Sequence, residues 1–281
     1  MRLLDRAETA RRTGSMAFHG SLFDPRAGTA QPLAYCRGLA QAARRAGARI
    51  FEHAPITRIG HDGIDWIVVV RGDAVYATHL LLATNAYAEA LEGAPDPAFV
   101  PVYFSQFATA PLTGAQRATI LPGGEGCWDT GRVMSSLRLD RDGRLIIGGV
   151  GNVAGPQGAV HRAWAARKLA QIYPELAGTP FEHEWSGAIA MTADHLPKVV
   201  SIGPRALSVY GYSDRGIAPG TVFGRAAARA LLHGDPTALP LAIAQNHTER
   251  FKTLRTLSYE VGATAMHATR PAPFLTHRHP R

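Results

Sequence analysis

The feature that most constrains the fold is an apolar run that ends in a short polar exit. Residues 74–84 become continuously apolar towards their end. The run then finishes in the small and polar residues Ala83, Thr84 and Asn85. Such a run is typical of a strand that is buried on both faces of a parallel sheet. In open α/β sheets, ligands bind beyond the carboxyl ends of the strands. We therefore expect an α/β sheet with a ligand near Asn85, although a plain strand end remains an alternative.

Two flanking regions also have α/β character. Pro32 suits the first turn of a helix, and Gly47 suits the position just past its end, so residues 49–52 are predicted to continue as a strand. Further along, a loop over residues 211–216 is bracketed by glycines and precedes a predicted helix over residues 217–233. The N-terminus of that helix offers free N–H groups and a partial positive charge to a ligand.

The middle of the chain is rich in β-structure. Strands are predicted over residues 101–112, 133–139, 144–148 and 181–191, with one amphipathic helix over residues 161–173. The predicted fold class is therefore α/β with an α+β insertion.

Composition narrows the possible partners. The net charge of +8 comes almost entirely from scattered arginines, and no basic stripe is interleaved with aromatic residues, which argues against a nucleic-acid partner. No run approaches the roughly 20 apolar residues that span a membrane. The N-terminus has no apolar signal region, so we expect a cytoplasmic protein. Two cysteines and the absence of an H-E-x-x-H pattern favour neither a disulfide scaffold nor a metal site.

Two segments of the sequence resemble known functional motifs but do not fulfil their requirements. Residues 149–154 fit G-x-G-x-x-G/A, but Gly155, Pro156 and Gly158 follow where a nucleotide-binding motif needs a helix, so a glycine-rich turn is the better interpretation. Ser213 lies in G-x-S-x-x-G, which is one residue too long for the nucleophile elbow of a hydrolase. A hydrolase is therefore only a minor alternative.

Several short segments stand in a characteristic order and spacing: Gly20-Ser21-Leu22-Phe23-Asp24-Pro25, Ala83-Thr84-Asn85-Ala86-Tyr87, Asp142-Gly143-Arg144, Trp185-Ser186-Gly187, Gly211-Tyr212 and Arg215-Gly216. Together they resemble the FAD-dependent amine and amino-acid oxidoreductases related to D-amino-acid oxidase, especially their gamma-glutamylputrescine oxidase-like branch. The resemblance implies an FAD-binding domain of the glutathione-reductase-like type over residues 1–97 and 191–245. It also implies a mixed-sheet substrate domain over residues 98–190 and a C-terminal extension over 246–281.

In that family an amine loses hydride to the flavin, the imine hydrolyses, and oxygen usually reoxidises the cofactor. The resemblance implies that small-molecule amines are the substrates and that FAD is bound without a covalent link, since no cysteine follows Cys127. The cofactor-binding residues that it implies are Ile56, Ala83, Thr84, Asn85, Gly187, Arg215, Gly216 and Ile217. Weaker candidates for the substrate pocket, each with a structural role as the alternative, are Tyr103, Trp128, Arg138 and Trp185.

The departures from the family pattern also carry information. The usual strand, G-x-G-x-x-G turn and helix do not precede Leu3, so we expect an incomplete FAD-binding domain that lacks its N-terminal βαβ unit. A misplaced gene start, a degraded gene or a separate N-terminal chain would each explain this, and the last two would make the chain a non-catalytic remnant or a subunit. Asp214 stands where glycine is usual. Ile189 and Ala218 replace an arginine and a lysine that hold substrate carboxylates in some branches, which favours amines over simple α-amino acids.

Overall fold

The computed structural model describes residues 1–131 and 133–269. Within these ranges no helix is both long and apolar enough to cross a membrane. The α-helices are α1 (Arg6–Thr13), α2 (Pro32–Arg45), α3 (Gly114–Thr119), α4 (Gly158–Ile172), α5 (Ile217–His233) and α6 (Lys252–Thr269). The strands are β1 (Arg2–Leu4), β2 (Ser21–Phe23), β3 (Ile56–His61), β4 (Trp66–Val70), β5 (Asp73–Ala77), β6 (Leu80–Leu82), β7 (Val100–Pro111), β8 (Cys127–Trp128), β9 (Ser135–Leu139), β10 (Arg144–Val150), β11 (Phe181–Met191), β12 (Lys198–Gly203) and β13 (Ala206–Tyr210).

The chain divides into two compact units, each built from separate stretches of sequence. Unit 2 comprises Pro32–Val102 and Ala188–Thr256, so it is interrupted by the middle of the chain, as the expected FAD-binding domain would be. Unit 1 comprises Met1–Gln31, Tyr103–Gly187 and the segment that begins at Leu257. The units differ from the expected domains because the first 31 residues and most of α6 group with the inserted sheet. The functional domain assignment stays a prediction.

Unit 1 is built on a five-stranded sheet with the order β11-β7-β10-β9-β8. The β10 strand pairs antiparallel with both β7 and β9, and its Ile147 lies opposite Phe107 and Leu137. These three side chains join Trp164 and Leu169 of α4 in one buried cluster. The core of unit 1 therefore lies between one face of the sheet and α4.

Unit 1 also buries several polar groups in full. The Lys168 ammonium donates a hydrogen bond to Asp129, whose side chain also accepts from the hydroxyl of Ser135 at 2.6 Å. Burial raises the pKa of Asp129, but hydrogen bonds from Lys168 and Ser135 outweigh it and hold this pKa below its ordinary value. Because a buried charge is tolerated only when it is paired and hydrogen-bonded, this interior depends on an intact network.

The helix α6 docks in unit 1 through histidine. The ring of His267 stacks on Trp164 with centroids 4.0 Å apart, and its Nδ1 lies 2.8 Å from Nδ1 of His161. Both histidines are 1% exposed. The predicted C-terminal extension over residues 246–281 thus contributes packing to unit 1, while its residues 270–281, for which the sequence predicts poor order, lie outside the described residues.

Unit 2 contains two three-stranded sheets. One has the order β12-β13-β6, with β13 antiparallel to β12 and parallel to β6. The other is the antiparallel sheet β3-β4-β5. Trp66 of β4 connects them, because it packs in a cluster with Ala206 of β13 and donates a hydrogen bond to the carbonyl of Pro204 at 2.8 Å.

Local signals placed several elements of unit 2 well. The predicted helix that follows Pro32 is α2, and Gly47 after it has φ of 93°. The prediction of a helix over 217–233 is confirmed by α5, which ends at Gly234 with φ of 65°.

Two strand predictions in unit 2 are wrong. Residues 49–52 form no strand, and Phe51 is 68% exposed, because no described strand lies alongside to complete its hydrogen bonds. The apolar stretch 74–84 is not one strand. It supplies β5 to the antiparallel sheet and β6 to the parallel pair, since the chain turns between Ala77 and Leu80.

Candidate functional site

The candidate site lies in unit 2, where the parallel strands β6 and β13 end. Leu82 pairs with Ser208, so both strands run out at the same edge of the sheet. Just beyond them, the Asn85 side chain accepts a hydrogen bond of 3.0 Å from the Gly211 N–H, across 126 positions of sequence. Asn85 has φ of 47°, a left-handed conformation that asparagine tolerates better than most residues. The two predicted exits are therefore held together directly.

The loop that follows β13 has an unusual backbone. Gly211 has φ of 83°, and a Cβ atom added there would lie 2.6 Å from Cγ2 of Thr192, so only glycine fits. Ser213 and Asp214 then adopt φ of 47° and 72° in succession. Each left-handed residue with a side chain costs roughly 1–2 kcal/mol. Surrounding contacts must hold this loop in place.

Ser213 is the anchor of the loop. Its side chain is buried, its N–H donates to the Ala190 carbonyl at 3.1 Å, and its hydroxyl accepts from the Thr192 N–H at 3.2 Å. The other partners of the hydroxyl are the Thr192 hydroxyl and the Gly211 carbonyl. None of these is a base that could activate a nucleophile, which removes support for the hydrolase alternative.

The helix α5 begins directly after the loop and presents an uncapped N-terminus. Gly216 is its N-cap and has no side chain to accept from the first N–H groups. A helix leaves those groups without intrahelical acceptors, and they carry the positive end of its dipole. Ile217, the first helical residue, is 44% exposed. This helix end is suited to a ligand that is negatively charged or accepts hydrogen bonds.

Charged side chains beside this helix end are exposed. The Arg215 guanidinium is 79% exposed and lies 4.0 Å from the carboxylate of Asp214, which is 46% exposed. An exposed pair of this kind is held weakly and is screened by solvent. The backbone N–H groups rather than these two side chains therefore define the fixed electrostatics of the site.

The remaining predicted cofactor residues are distributed over three elements. Ala83 and Thr84 form the link between β6 and Asn85, next to the bond described above. Ile56 is 43% exposed and begins β3, in the other sheet of unit 2. Gly187 lies within β11, directly before Ala188. Only Ala83, Thr84, Asn85 and the 215–217 segment gather at the edge formed by β6 and β13.

The four predicted pocket residues do not form one group. Trp128 pairs with Ser136, two residues from Arg138 on β9, so Trp128 and Arg138 share the sheet face that is opposite α4. Tyr103 lies on the α4 face, because it is two residues from Ser105, which pairs with Gly149 against the ring of Trp164. For Tyr103 the structural alternative is thus favoured.

Trp185 is also apart from Trp128. It lies on β11, and Trp128 lies on β8, so the two residues occupy opposite edges of the five-stranded sheet. Four interstrand spacings separate those edges, which amounts to about 19 Å. Arg138 is the charged member of the set. Burial lowers its pKa, and within residues 1–131 and 133–269 no carboxylate pairs with it.

The glycines of the imitation nucleotide motif have a packing role. A Cβ atom at Gly149 would lie 2.4 Å from the Trp164 ring, and one at Gly151 would lie 2.5 Å from the His161 ring. These glycines allow α4 to approach β10 closely. The preference for a structural turn over a nucleotide-binding loop is in keeping with this packing.

Three contacts that shape the site were not predicted from the sequence. They are the Thr192–Ser213 bond, the fit of Gly211 against Thr192, and a bond of 3.2 Å from the Ala188 N–H to the Tyr87 hydroxyl. The glycine at 211 was a usable signal, since a glycine between a strand and a helix often marks a positive φ. The partners of Ser213 and Tyr87 carry no local signal.

Metal and thiol chemistry find little support in the part of the chain that the structure describes. No group of three or more histidine, cysteine, aspartate or glutamate residues there could hold a metal ion. Cys127 lies on β8, and burial raises the pKa of its thiol to about 12. Cys36 is exposed on α2.

Comparison with solved structures defines the class of fold. Glycine oxidase from Geobacillus kaustophilus superposes with a TM-score of 0.69 at 19% identity, over 88% of this chain and 67% of that one. Fructosamine oxidase from Aspergillus fumigatus gives 0.69 at 17% identity, over 89% and 69%. The fold is that of FAD-binding oxidoreductases of the D-amino-acid oxidase type.

Sequence comparison then gives the family. The family model described as FAD dependent oxidoreductase (DAO) matches residues 1–230, and the chain belongs to this family. It is similar to the probable oxidoreductase OrdL of Haemophilus influenzae, with 30% identity over 84% of this chain and 54% of that protein. It is also similar to gamma-glutamylputrescine oxidoreductase of Escherichia coli, with 28% identity over 84% and 55%. The chain thus spans about half the length of the curated relatives that it matches.

The residues at the β6–β13 edge fit a flavin. An uncapped helix N-terminus supplies the hydrogen-bond donors and partial positive charge that an electron-rich ring edge requires. Gly216 leaves open space, since a Cβ atom added there would meet nothing within 4 Å. The donor set therefore suits the ring portion of FAD.

Proposed function

We propose that this chain supplies the flavin-ring site and the substrate sheet of an FAD-dependent oxidoreductase that oxidises the C–N bond of an amine. The observation that carries the proposal is the Asn85–Gly211 hydrogen bond, which holds two parallel-strand exits together beside the uncapped end of α5. Ligands of α/β sheets bind at such exits.

Each part of the site has a defined task in this proposal. The bound flavin would supply the chemistry, by accepting a hydride from the carbon that bears the amine. The N–H groups of Ile217 and its neighbours would stabilise negative charge at the ring edge, because they are fixed before the reaction. Ala83, Thr84 and Asn85 would contact the dinucleotide, Ile56 its adenine side, and Gly187 and Arg215 the surroundings of the ring.

The proposed substrate is a small-molecule amine other than a simple α-amino acid. Ile189 of β11 and Ala218 of α5 stand where some branches of the family place carboxylate-binding cations, and neither can bind a carboxylate by charge. Arg138 and Trp128, which share the sheet face opposite α4, are the proposed wall of the substrate pocket. Tyr103 and Trp185 are weaker candidates for this wall. Tyr103 lies on the sheet face that α4 covers, and Trp185 lies on β11, at the sheet edge opposite Trp128.

We further propose that a strand, G-x-G-x-x-G turn and helix complete the FAD site, whether this nucleotide-binding segment belongs to the same polypeptide or to a separate one. The relatives are about twice as long as the aligned part of this chain, which supports an additional segment. A non-covalent flavin is proposed because Cys127 has a strongly raised pKa and Cys36 lies on α2. A cytoplasmic location stays a prediction.

A second candidate function is that of an interaction subunit without activity of its own. It is favoured by α2, which has no buried residue, and by Leu33 and Leu39, which are 52% and 48% exposed. It is also favoured by β6, whose second edge has no strand beside it in the described part of the chain. Open strand edges and apolar helix faces are surfaces that pair with another chain.

The two candidates separate in a reconstitution experiment. The chain is purified alone and with a nucleotide-binding segment of an OrdL-type relative, loaded with FAD, and desalted. The flavin absorbance that is retained and the peroxide that forms with a panel of amines are then measured. We expect flavin retention and turnover only with the segment present. If the segment binds but flavin is not retained, the subunit interpretation replaces the enzyme.

Variants at Asn85 test whether the Asn85–Gly211 hydrogen bond supports FAD binding. Asn85→Gly removes the bond to Gly211 while permitting the positive φ, and we expect it to weaken FAD binding about fivefold, since a hydrogen bond contributes roughly 1 kcal/mol. Asn85→Asp keeps an acceptor oxygen and a residue that tolerates this conformation, so it serves as the matched control. Equal FAD affinity in Asn85→Gly and the unchanged protein would contradict the proposed role.

A further inference from the structure

The segment that follows the family match contains a buried carboxylate next to the candidate site. Residues 243–255, which we name the strap, lie beyond the matched range of 1–230. The side chain of Glu249 in the strap is 2% exposed. Burial raises its pKa, but hydrogen bonds from the Ala193 N–H, Arg255 and His247 outweigh this and keep the pKa below its ordinary value. Glu249 is thus an ionised, fully partnered group inside unit 2.

The strap is held to β12 at Ala244, which forms a parallel bridge with Val200. The Ala244 N–H donates to the Val199 carbonyl, and the Ser201 N–H donates to the Ala244 carbonyl, both at 2.9 Å. Within the strap, the Arg255 guanidinium donates to Oε2 of Glu249 at 2.6 Å. His247 donates from Nε2 to Oε1 of Glu249 at 3.2 Å. The carboxylate therefore has a set position.

From this position Glu249 holds the turn between β11 and β12. Its Oε1 accepts a hydrogen bond of 2.8 Å from the Ala193 N–H. The preceding residue, Thr192, donates its N–H to the hydroxyl of Ser213 at 3.2 Å. One residue of the turn is thus held by the strap, and its neighbour holds the loop that leads into α5.

A second path reaches the same loop from the other side. The ring of His247 lies 6.3 Å from the ring of Tyr210, which is the last residue of β13 before the loop begins. The strap is therefore linked to the loop 211–216 indirectly, through Tyr210 just before the loop and through the turn whose Thr192 bonds Ser213. Ser213 and Asp214 are left-handed and hold their conformation only while their surroundings are firm.

We infer that Glu249 is a positioning residue for the loop 211–216 and thereby for the direction of the first N–H groups of α5. The inference rests on the proposed function for its relevance to flavin. With this inference the candidate site includes the strap, which lies outside residues 1–230 of the family match and fixes the direction of the N–H groups at the start of α5. Glu249 touches neither the proposed cofactor nor the substrate, so it acts only through the turn and Ser213.

Hydrogen exchange on the 281-residue chain tests the inference without any cofactor. Glu249→Ala should raise amide exchange about fivefold at residues 211–217, because one bond of roughly 1 kcal/mol is lost. Glu249→Gln keeps an acceptor for the Ala193 N–H and should restore most of the protection. Asp235→Ala, which removes a cap on Thr237 elsewhere in unit 2, is the matched control and should leave residues 211–217 unchanged.

Two results would overturn the inference. One is unchanged exchange at 211–217 in Glu249→Ala. The other is an equal rise over β12, β13 and all of α5, which would show a general loss of stability. In flavin-loaded protein, Glu249→Ala should also lower the reduction potential of the flavin relative to Asp235→Ala, since misdirected N–H groups stabilise the reduced ring less. Failure of FAD to bind when the nucleotide-binding segment is also bound would refute the proposed function and leave the exchange result to decide on Glu249.

Discussion

The two compact units bury their apolar residues very unequally. Of the largest fully buried side chains, all but Val100 belong to unit 1, where α4 covers one sheet face. In unit 2, α2 buries no residue, and the predicted strand at 49–52 is not formed. Unit 1 thus holds most of the large, fully buried side chains, whereas unit 2 includes a whole helix without a buried residue. This difference supports the proposal that the flavin site is completed by a nucleotide-binding segment.

If unit 1 is the self-sufficient part, removing a charge from its interior should have the largest effect. Asp129→Asn takes away the carboxylate that neutralises the buried Lys168 ammonium, and we expect a loss of about 3–5 kcal/mol in the free energy of unfolding. Urea denaturation of the variant and the unchanged chain measures this loss. Asp24→Asn, in an exposed pair with Arg26, should change stability little. Similar midpoints for both variants would show that the unit 1 core tolerates an incomplete network.

A pH effect from histidine is expected in unit 1. Burial, His161 and the charges of Arg167 and Lys168 lower the pKa of His267 to about 3, below the ordinary value of 6.5. The unfolded histidine therefore binds a proton more readily, so the stability that buried His267 contributes is present above about pH 6.5 and is lost as the pH falls towards 3. Burial also lowers the pKa of His161, which adds to the effect.

Exchange of the amides of α6, followed from pH 7 to pH 4, measures this loss. The charged groups near His267 also influence the measured pH dependence. They include the Lys168–Asp129 pair and the Arg167 guanidinium, which donates to the His267 carbonyl. His267→Phe keeps a ring to stack on Trp164 and should flatten the pH dependence. A dependence that persists in His267→Phe would assign it to other groups, such as His161.

The apolar face of unit 2 should matter only for association. Leu39→Asp on α2 should leave the stability of the chain alone unchanged, because Leu39 is 48% exposed. It should weaken binding of the nucleotide-binding segment by roughly ten- to a hundredfold, since burying a leucine contributes about 1.5–3 kcal/mol. Leu254→Asp, at a residue that is 64% exposed on α6, is the control. Equal affinities in a titration would argue that α2 is not the docking face.

The smallest expected effect concerns the loop beside α5. Asp214→Gly should stabilise unit 2 by at most about 1 kcal/mol, because glycine adopts φ of 72° without steric cost but loses more entropy on folding. It should also raise the flavin reduction potential slightly, as a carboxylate near the ring edge is removed. Thermal unfolding and redox titration check both outcomes. A clear loss of stability would mean that the Asp214 side chain supports the loop.

Local sequence signals predicted a good part of this architecture. Pro32, Gly47 and Gly234 marked the ends of α2 and α5, and the strand over residues 181–191 was predicted with the bounds that β11 has. These signals work because helix ends and strand periodicity depend on residues only a few positions apart. The structure joins two segments that the sequence singled out separately, Asn85 and the 211–216 loop, because the parallel strands before them end at one edge.

Tertiary structure alone decided the rest. Whether residues 49–52 become a strand depends on a partner strand and not on their own sequence. The face on which Tyr103 lies follows from the register of β7 with β10, which single-residue patterns do not specify. The strap at Glu249 and the docking of His267 join residues that are 56 and 106 positions apart. Contacts of such range leave no periodic trace, so only the folded chain reveals them.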